Sequence, residues 1–208
     1  MPIIPTTENK VAMKDFVYLA SQSPRRRQLL EQIGVRYELL LATPEEDAES
    51  LERVMPGEAP LTYVKRVTQL KLEAAVHRMQ VRHLKPATVL CADTTVALGR
   101  LILGKPENEQ DAVRILKTLA GQTHRVLTAV AVASGRKRAL RVSVSKVTLA
   151  PMKLSEIKAY VATGEPFGKA GAYGVQGMAA AYISDIKGSY TGIMGLPLFE
   201  TAELLKNM

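Results

Sequence analysis

The sequence predicts an α/β protein, and three observations carry that reading. Short apolar runs of strand-like composition alternate along the chain with segments that carry helix punctuation. Residues 16–34, FVYLASQSPRRRQLLEQIG, set a strand, three polar residues and a helix in immediate succession. Farther on, two long strand candidates, residues 124–133 and 140–150, flank the basic turn Arg136-Lys137-Arg138, as a hairpin requires.

The first stretch also points to function. Ser23 stands where an N-cap belongs, and Pro24 fits the first helical position, where its missing N–H costs nothing. Leu29, Leu30 and Ile33 give an apolar face, and Gly34 supplies the left-handed stop. Charge breaks the pattern, because Arg25, Arg26 and Arg27 occupy a first turn whose dipole is already positive, at a cost of a few tenths to about 1 kcal/mol each. Free N–H groups, a helix dipole and guanidinium forks together make a phosphate cradle. The alternative is that the arginines face solvent or pair with acids such as Glu31.

A chain of 208 residues can bury roughly 70% of its unfolded surface in one core, so one domain over residues 16–208 is expected, after a frayed tail over residues 1–15. That tail lacks a basic region followed by a continuous apolar core, so it does not read as a signal peptide, and no apolar run reaches the ~18 residues of a membrane span. A lone cysteine, Cys91, excludes an intrachain disulfide and suits a reducing, cytoplasmic compartment. The net charge of +8 favours polyanionic partners. With 5% aromatic residues and no Trp, a single-strand stacking platform is not the expected one, and small phosphates remain.

Residues 35–42 read as a second strand leading into TPEEDAES. Glu45, Glu46 and Asp47 there either close a loop over a metal or form the solvated first turn of a short helix. After the loop marked by Pro56, Gly57 and Pro60, a long helix spans residues 61–81. Its stripe of Leu61, Val64, Val67, Ala74 and Ala75 has Lys71 near the centre, so that ammonium either snorkels out or meets an anion in a cleft. Arg78 lies on the same meridian, near the helix end where escape to solvent is easy.

Residues 88–98, TVLCADTTVAL, read as a central strand interrupted by Asp93, Thr94 and Thr95. A carboxylate inside such a run must be offset by hydrogen bonds, a cation or a metal, which makes Asp93 the leading candidate for general base or metal ligand. The following GRLILGK meets the first seven positions of a P-loop, but Pro106 replaces the magnesium-binding hydroxyl and Leu101-Ile102-Leu103 is strand-like, so a P-loop is rejected. Lys105 can still reach a phosphate from the end of that strand.

Asn108 caps a helix closed by Gly121, and Ser155 caps another that stops at residues 163–166. GKAGAYGVQG, residues 168–177, brings four glycines for close backbone approach, a cation in Lys169 and a base-edge amide in Gln176. A last strand over residues 179–186, a glycine-punctuated loop and a closing helix over residues 198–206 complete the chain.

LASQSPRRRQLL, CADTTV, LGKPENEQDAVRILKTLAGQTHRVLTAVAV, YVATGEPFGKAGAYGVQG and GLPLFETAELL occur in this order over nearly the whole chain and closely resemble the Maf family of nucleoside triphosphate pyrophosphatases. The resemblance implies a two-lobed mixed sheet with flanking helices and a central cleft, as in inosine triphosphate pyrophosphatases, a homodimer and a divalent metal, magnesium or manganese. Arg25, Thr94 and Gln176 match the subgroup acting on dTTP and UTP. Arg26, Lys71, Lys105 and Asp93 match active-site positions, as do Ser21 and Glu46, with Asp93 the proposed proton acceptor and Glu46 and Asp93 the implied metal ligands. The chain departs from the family at Gly168, where many members carry Asp, and in its longer tail. A non-enzymatic nucleic-acid-binding protein or cell-division regulator stands as the alternative.

Overall fold

The computed structural model describes residues 16–43, 46 and 50–208. The tail over residues 1–15, and Glu45 and Asp47 of the acidic cluster, lie outside the described residues. The elements are β1 (Val17–Leu19), α1 (Pro24–Gln32), β2 (Tyr37–Leu39), α2 (Pro60–Val81), β3 (Thr88–Leu98), β4 (Leu101–Leu103), α3 (Glu109–Leu119), β5 (Thr123–Ser134), β6 (Lys137–Leu149), α4 (Leu154–Ala162), β7 (Ile183–Lys187), α5 (Tyr190–Met194) and α6 (Leu198–Lys206). Short 3-10 turns occupy Ser50–Glu52, Ala170–Ala172 and Met178–Tyr182.

The strands form one seven-stranded mixed sheet in the order β2-β1-β3-β5-β6-β7, with β4 also paired to β3. β1 runs parallel to β2 and β3, while β3, β5, β6 and β7 pair antiparallel. Strand β3 is nearly all buried, which explains why its sequence is a continuous apolar run rather than an alternation. It belongs to both ends of the molecule. Its first half packs Leu90 and Ala92 with α1 and α6 on one face, and Val89 and Cys91 with α2 on the other. Its second half places Val96 in a separate core with α3 and α4. Asp93, Thr94 and Thr95 fall between these two lobes, so the polar interruption in the strand sits where the cores part.

Several local expectations shift. The Ser23 side chain does not cap α1; its backbone N–H donates to Ser21 Oγ at 3.2 Å instead. Helix α4 starts at Leu154, one residue before the expected cap Ser155, because Glu156 accepts from the Lys153 N–H at 2.6 Å. The last strand begins at Ile183, since the run from Met178 coils into a 3-10 turn, and the loop after it contains the one-turn helix α5. In α2 the stripe is rotated, with Leu61 exposed and Tyr63, Thr68 and Leu72 buried beside Val64, Val67 and Ala75. Arg78 does not escape to solvent; only 7% of it is exposed. The basic hairpin tip is a solvated turn, with Arg138 donating to Glu73 at 2.7 Å.

Candidate active site

A cavity of about 710 Å³ opens between the lobes. Ser21, Arg25, Arg26, Glu46, Lys71, Asp93, Thr94, Lys105 and Gln176, every site residue expected from the sequence, line it. They come from separate segments. β1 leads into Ser21, the first turn of α1 brings Arg25 and Arg26, the middle of α2 brings Lys71, β3 brings Asp93 and Thr94, and the chain after β4 brings Lys105.

The arginines of α1 reach the C-terminal end of α5. Arg26 Nε donates to the Gly195 carbonyl at 2.8 Å and its Nη1 to Ser21 Oγ at 3.0 Å, while Arg25 Nε donates to the Met194 carbonyl at 3.1 Å. Neutral carbonyls thus orient both guanidinium groups without cancelling their charge. Burial lowers the pKa of both, a tendency that the nearby Asp93 carboxylate opposes at Arg26. Lys169 is a further cation on this wall. Its ammonium donates to the Glu165 carbonyl, and burial and the charge of Arg25 depress its pKa. Three cations near one wall with carbonyl partners describe a region that favours an anion.

The cavity lysines of α2 and of the chain after β4 are compensated by carboxylates instead. Lys71 Nζ donates to Asp93 Oδ1 at 2.6 Å and to Glu52 Oε1 at 2.7 Å, and Lys105 Nζ donates to Glu52 Oε2 at 2.9 Å. Burial acts to lower the Lys71 pKa, but the Asp93 and Glu52 carboxylates outweigh it and hold it above the usual lysine value. Burial likewise acts to raise Glu52, and Lys71 and Lys105 bring it below the usual glutamate value. Of the two outcomes open for Lys71, the structure shows the anion in a cleft.

Glu46 occupies another part of the wall. Its carboxylate takes both Nε and Nη2 of Arg78, with Nε at 2.9 Å from either oxygen, while Arg78 Nη1 donates to the Leu40 carbonyl at 3.0 Å. Thr95 Oγ1 is buried in the cavity wall and has no hydrogen-bond partner among the described residues. An orphaned hydroxyl costs about 1–3 kcal/mol unless a water or polar guest pairs with it.

A family model described as Maf-like protein matches residues 16–208. The chain belongs to the Maf family. Relatives of this Maf chain include the dTTP/UTP pyrophosphatase of Polaromonas sp. (strain JS666 / ATCC BAA-500), 64% identical over 192 residues, which cover 92% of this chain and 95% of the relative. The dTTP/UTP pyrophosphatase of Albidiferax ferrireducens is 62% identical over 195 residues, covering 94% and 98%. Among solved structures, the Staphylococcus aureus Ham1 protein aligns with 66% of this chain and 73% of its own at a TM-score of 0.42 and 12% identity, too distant a likeness to carry an argument.

Two features of the Maf site escape the sequence reading. Glu52 sits in a short 3-10 turn and shows nothing locally beyond one more acid, yet it bridges two cavity lysines. Glu165 anchors the glycine-rich loop that carries Gln176: its carboxylate accepts from Tyr160 Oη and the Met178 N–H, each at 2.8 Å. The partial signal there is Gly177, since a Cβ at that position would stand 2.2 Å from Glu165 Oε1.

Proposed function

We propose that this Maf chain hydrolyses dTTP and UTP at the α–β phosphoanhydride, giving the nucleoside monophosphate and pyrophosphate. Relatives of 55–64% identity over more than nine-tenths of the chain carry the name dTTP/UTP pyrophosphatase. The observation that carries the chemistry is Lys71 Nζ held by Asp93 and Glu52 in the cavity that Arg25, Arg26 and Lys105 also line. Positive groups from distant segments converge on one space large enough for a nucleotide, and a carboxylate stands beside them.

In this reading Arg25, Arg26, Lys71 and Lys105 bind the triphosphate, with the Ser21 hydroxyl beside Arg26. Lys71 keeps one Asp93 oxygen in place, and the other makes no hydrogen bond to a described residue. That free oxygen orients a water and takes its proton as the water oxygen bonds to the α-phosphorus and the bond to the bridging oxygen breaks. Pyrophosphate departs with its new charge shared among the lysines and arginines. Thr94 and Gln176 contact the pyrimidine.

A divalent cation, magnesium or manganese, is part of the proposal. Among the described residues no group of three His, Cys, Asp or Glu side chains gathers into a cage. Magnesium is commonly bound through one or two carboxylates together with substrate phosphates, and Asp93 and Glu52 supply oxygen donors of that kind around Lys71. Glu46 would join them only by leaving Arg78, and Glu52 would turn to the cation only by releasing Lys71 or Lys105. When bound, such a cation neutralises phosphate charge and acidifies a water. A homodimer and a cytoplasmic location complete the reading. The second is supported by the single, buried Cys91, and among the described residues no helix is long and apolar enough to cross a membrane.

The test is product identification. Pure protein with manganese or magnesium and a nucleotide panel is expected to yield monophosphate plus pyrophosphate from dTTP and UTP. Diphosphate plus orthophosphate overturns the reading, and salt-dependent DNA binding without hydrolysis favours the regulatory alternative.

A further inference from the structure

We infer that Thr128 is a positioning residue that fixes Thr94 as a hydrogen-bond acceptor and thereby selects pyrimidines bearing an N–H at ring position 3. The inference rests on the reading above that Thr94 contacts the base. Thr128 lies on β5 directly opposite Thr94 on β3 and is completely buried. The two hydroxyl oxygens are 3.0 Å apart, and Thr128 Oγ1 donates to the Gly192 carbonyl at 2.7 Å.

Proton counting sets the direction of this chain. A hydroxyl has one proton, and a carbonyl accepts only. The Thr128 proton is therefore on Gly192, so Thr94 must supply the proton between the two threonines. With its proton committed to the buried side, Thr94 offers the cavity lone pairs alone.

An unconstrained threonine can rotate its hydroxyl to serve either a donor or an acceptor, and Thr128 removes that choice. Uracil and thymine present N3–H, a donor that complements an acceptor-only Thr94. Cytosine presents a bare N3 lone pair, which meets the Thr94 oxygen as acceptor against acceptor. Gln176 carries both a donor and an acceptor and can flip to suit either base, so it does not make this distinction. The substrate class that follows is the 4-oxo pyrimidine nucleoside triphosphates, with cytidine triphosphate disfavoured.

The experiment compares kcat/KM for UTP and CTP in the wild type and in Thr128→Val, Thr128→Ser and Thr94→Val, each checked for folding by circular dichroism. Thr128→Val is expected to lower the UTP-over-CTP ratio about tenfold, the worth of one hydrogen bond, mainly through a lower KM for CTP, because the freed Thr94 hydroxyl still accepts from UTP and can now donate to cytosine N3. Thr128→Ser, which keeps the hydroxyl, is expected to retain the wild-type ratio. A folded Thr128→Val with the wild-type ratio, alongside a Thr94→Val whose ratio falls, overturns the role of Thr128 alone. An unchanged ratio in both shows that Thr94 does not read the base, which overturns the underlying reading as well. Should Thr128→Val fail to fold, Thr128→Ala takes its place: a UTP-over-CTP ratio about tenfold below wild type supports the inference, and a folded variant with the wild-type ratio overturns it.

Discussion

Lys71 shows how a single side chain acquires a task from its surroundings. On α2 it shares a face with Val64, Val67 and Ala75, where an unpaired ammonium would be costly. Asp93 and Glu52 compensate it, and a triphosphate arriving in the cavity adds a further anion. Lys71→Ala is therefore expected to raise KM for UTP at least roughly tenfold, with a smaller effect on turnover, in steady-state kinetics. Unchanged KM and turnover would separate Lys71 from the substrate. Asp93→Asn keeps the shape but loses the proton acceptor. A fall in turnover of roughly a hundredfold to ten-thousandfold is expected with the fold intact, and near wild-type turnover would refute the role.

At the scale of elements, the loop after α4 depends on one carboxylate. Burial acts to raise the Glu165 pKa, but the Met178 N–H, the Tyr160 hydroxyl and the Ala179 N–H outweigh it and hold it below its reference value of 4.5. A depressed native pKa means that the unfolded chain binds the proton more readily. The stabilisation is then fully present above the unfolded value and is lost as pH falls through the native one. Urea denaturation at a series of pH values from 7 down to 3 is expected to show stability falling below about 4.5, and Glu165→Gln should flatten that acid limb. Gly177→Ala tests the same contact from the other side. Its Cβ would overlap the Glu165 carboxylate, so that side chain must swing away from the Met178 N–H or the loop bearing Gln176 must shift; either loosens the loop, and a several-fold rise in KM for UTP is expected with most of the stability kept.

Across the whole molecule, the cavity lysines Lys71 and Lys105 are held by carboxylates, whereas Arg25 and Arg26 donate to carbonyls. Adding substrate with a divalent cation brings balancing charge of both signs, so hydrolysis is expected to stop after dialysis against EDTA and to return with manganese or magnesium. Undiminished activity in EDTA would exclude the cation from the proposal. The net charge of +8 belongs to the same scale, and it alone could not separate a phosphate enzyme from a nucleic-acid binder. The shared cavity of Arg25, Lys71 and Lys105 bears on that choice, because it gathers the cations in one concave cleft rather than along an extended surface.

Legibility followed the range of the interaction. Pro24, Gly34, Asn108 and the apolar run of β3 announce their elements through rules that span a few residues. Arg25, Arg26, Lys71 and Asp93 stood out because each violates such a rule: cations at a helix start, an ammonium on an apolar stripe, an acid in a buried strand. Boundaries failed where competing caps were two residues apart, as at Ser155 against Lys153 with Glu156. Arg78 failed for a different reason. Its partners, Glu46 and Leu40, lie more than thirty residues away and leave no local trace.

The chain by itself determined the alternation of strands and helices and the placement of charges where local physics disfavours them, because capping, periodicity and dipole effects act over a turn or two. Only the tertiary structure decided which acids answer which cations. Glu52 joining Lys71 to Lys105, and Thr128 directing the Thr94 proton, exist because packing brought separate segments within 3 Å or so of each other. Hydrogen bonds and close ion pairs have energy only at that distance, so no spacing along the sequence could have specified them.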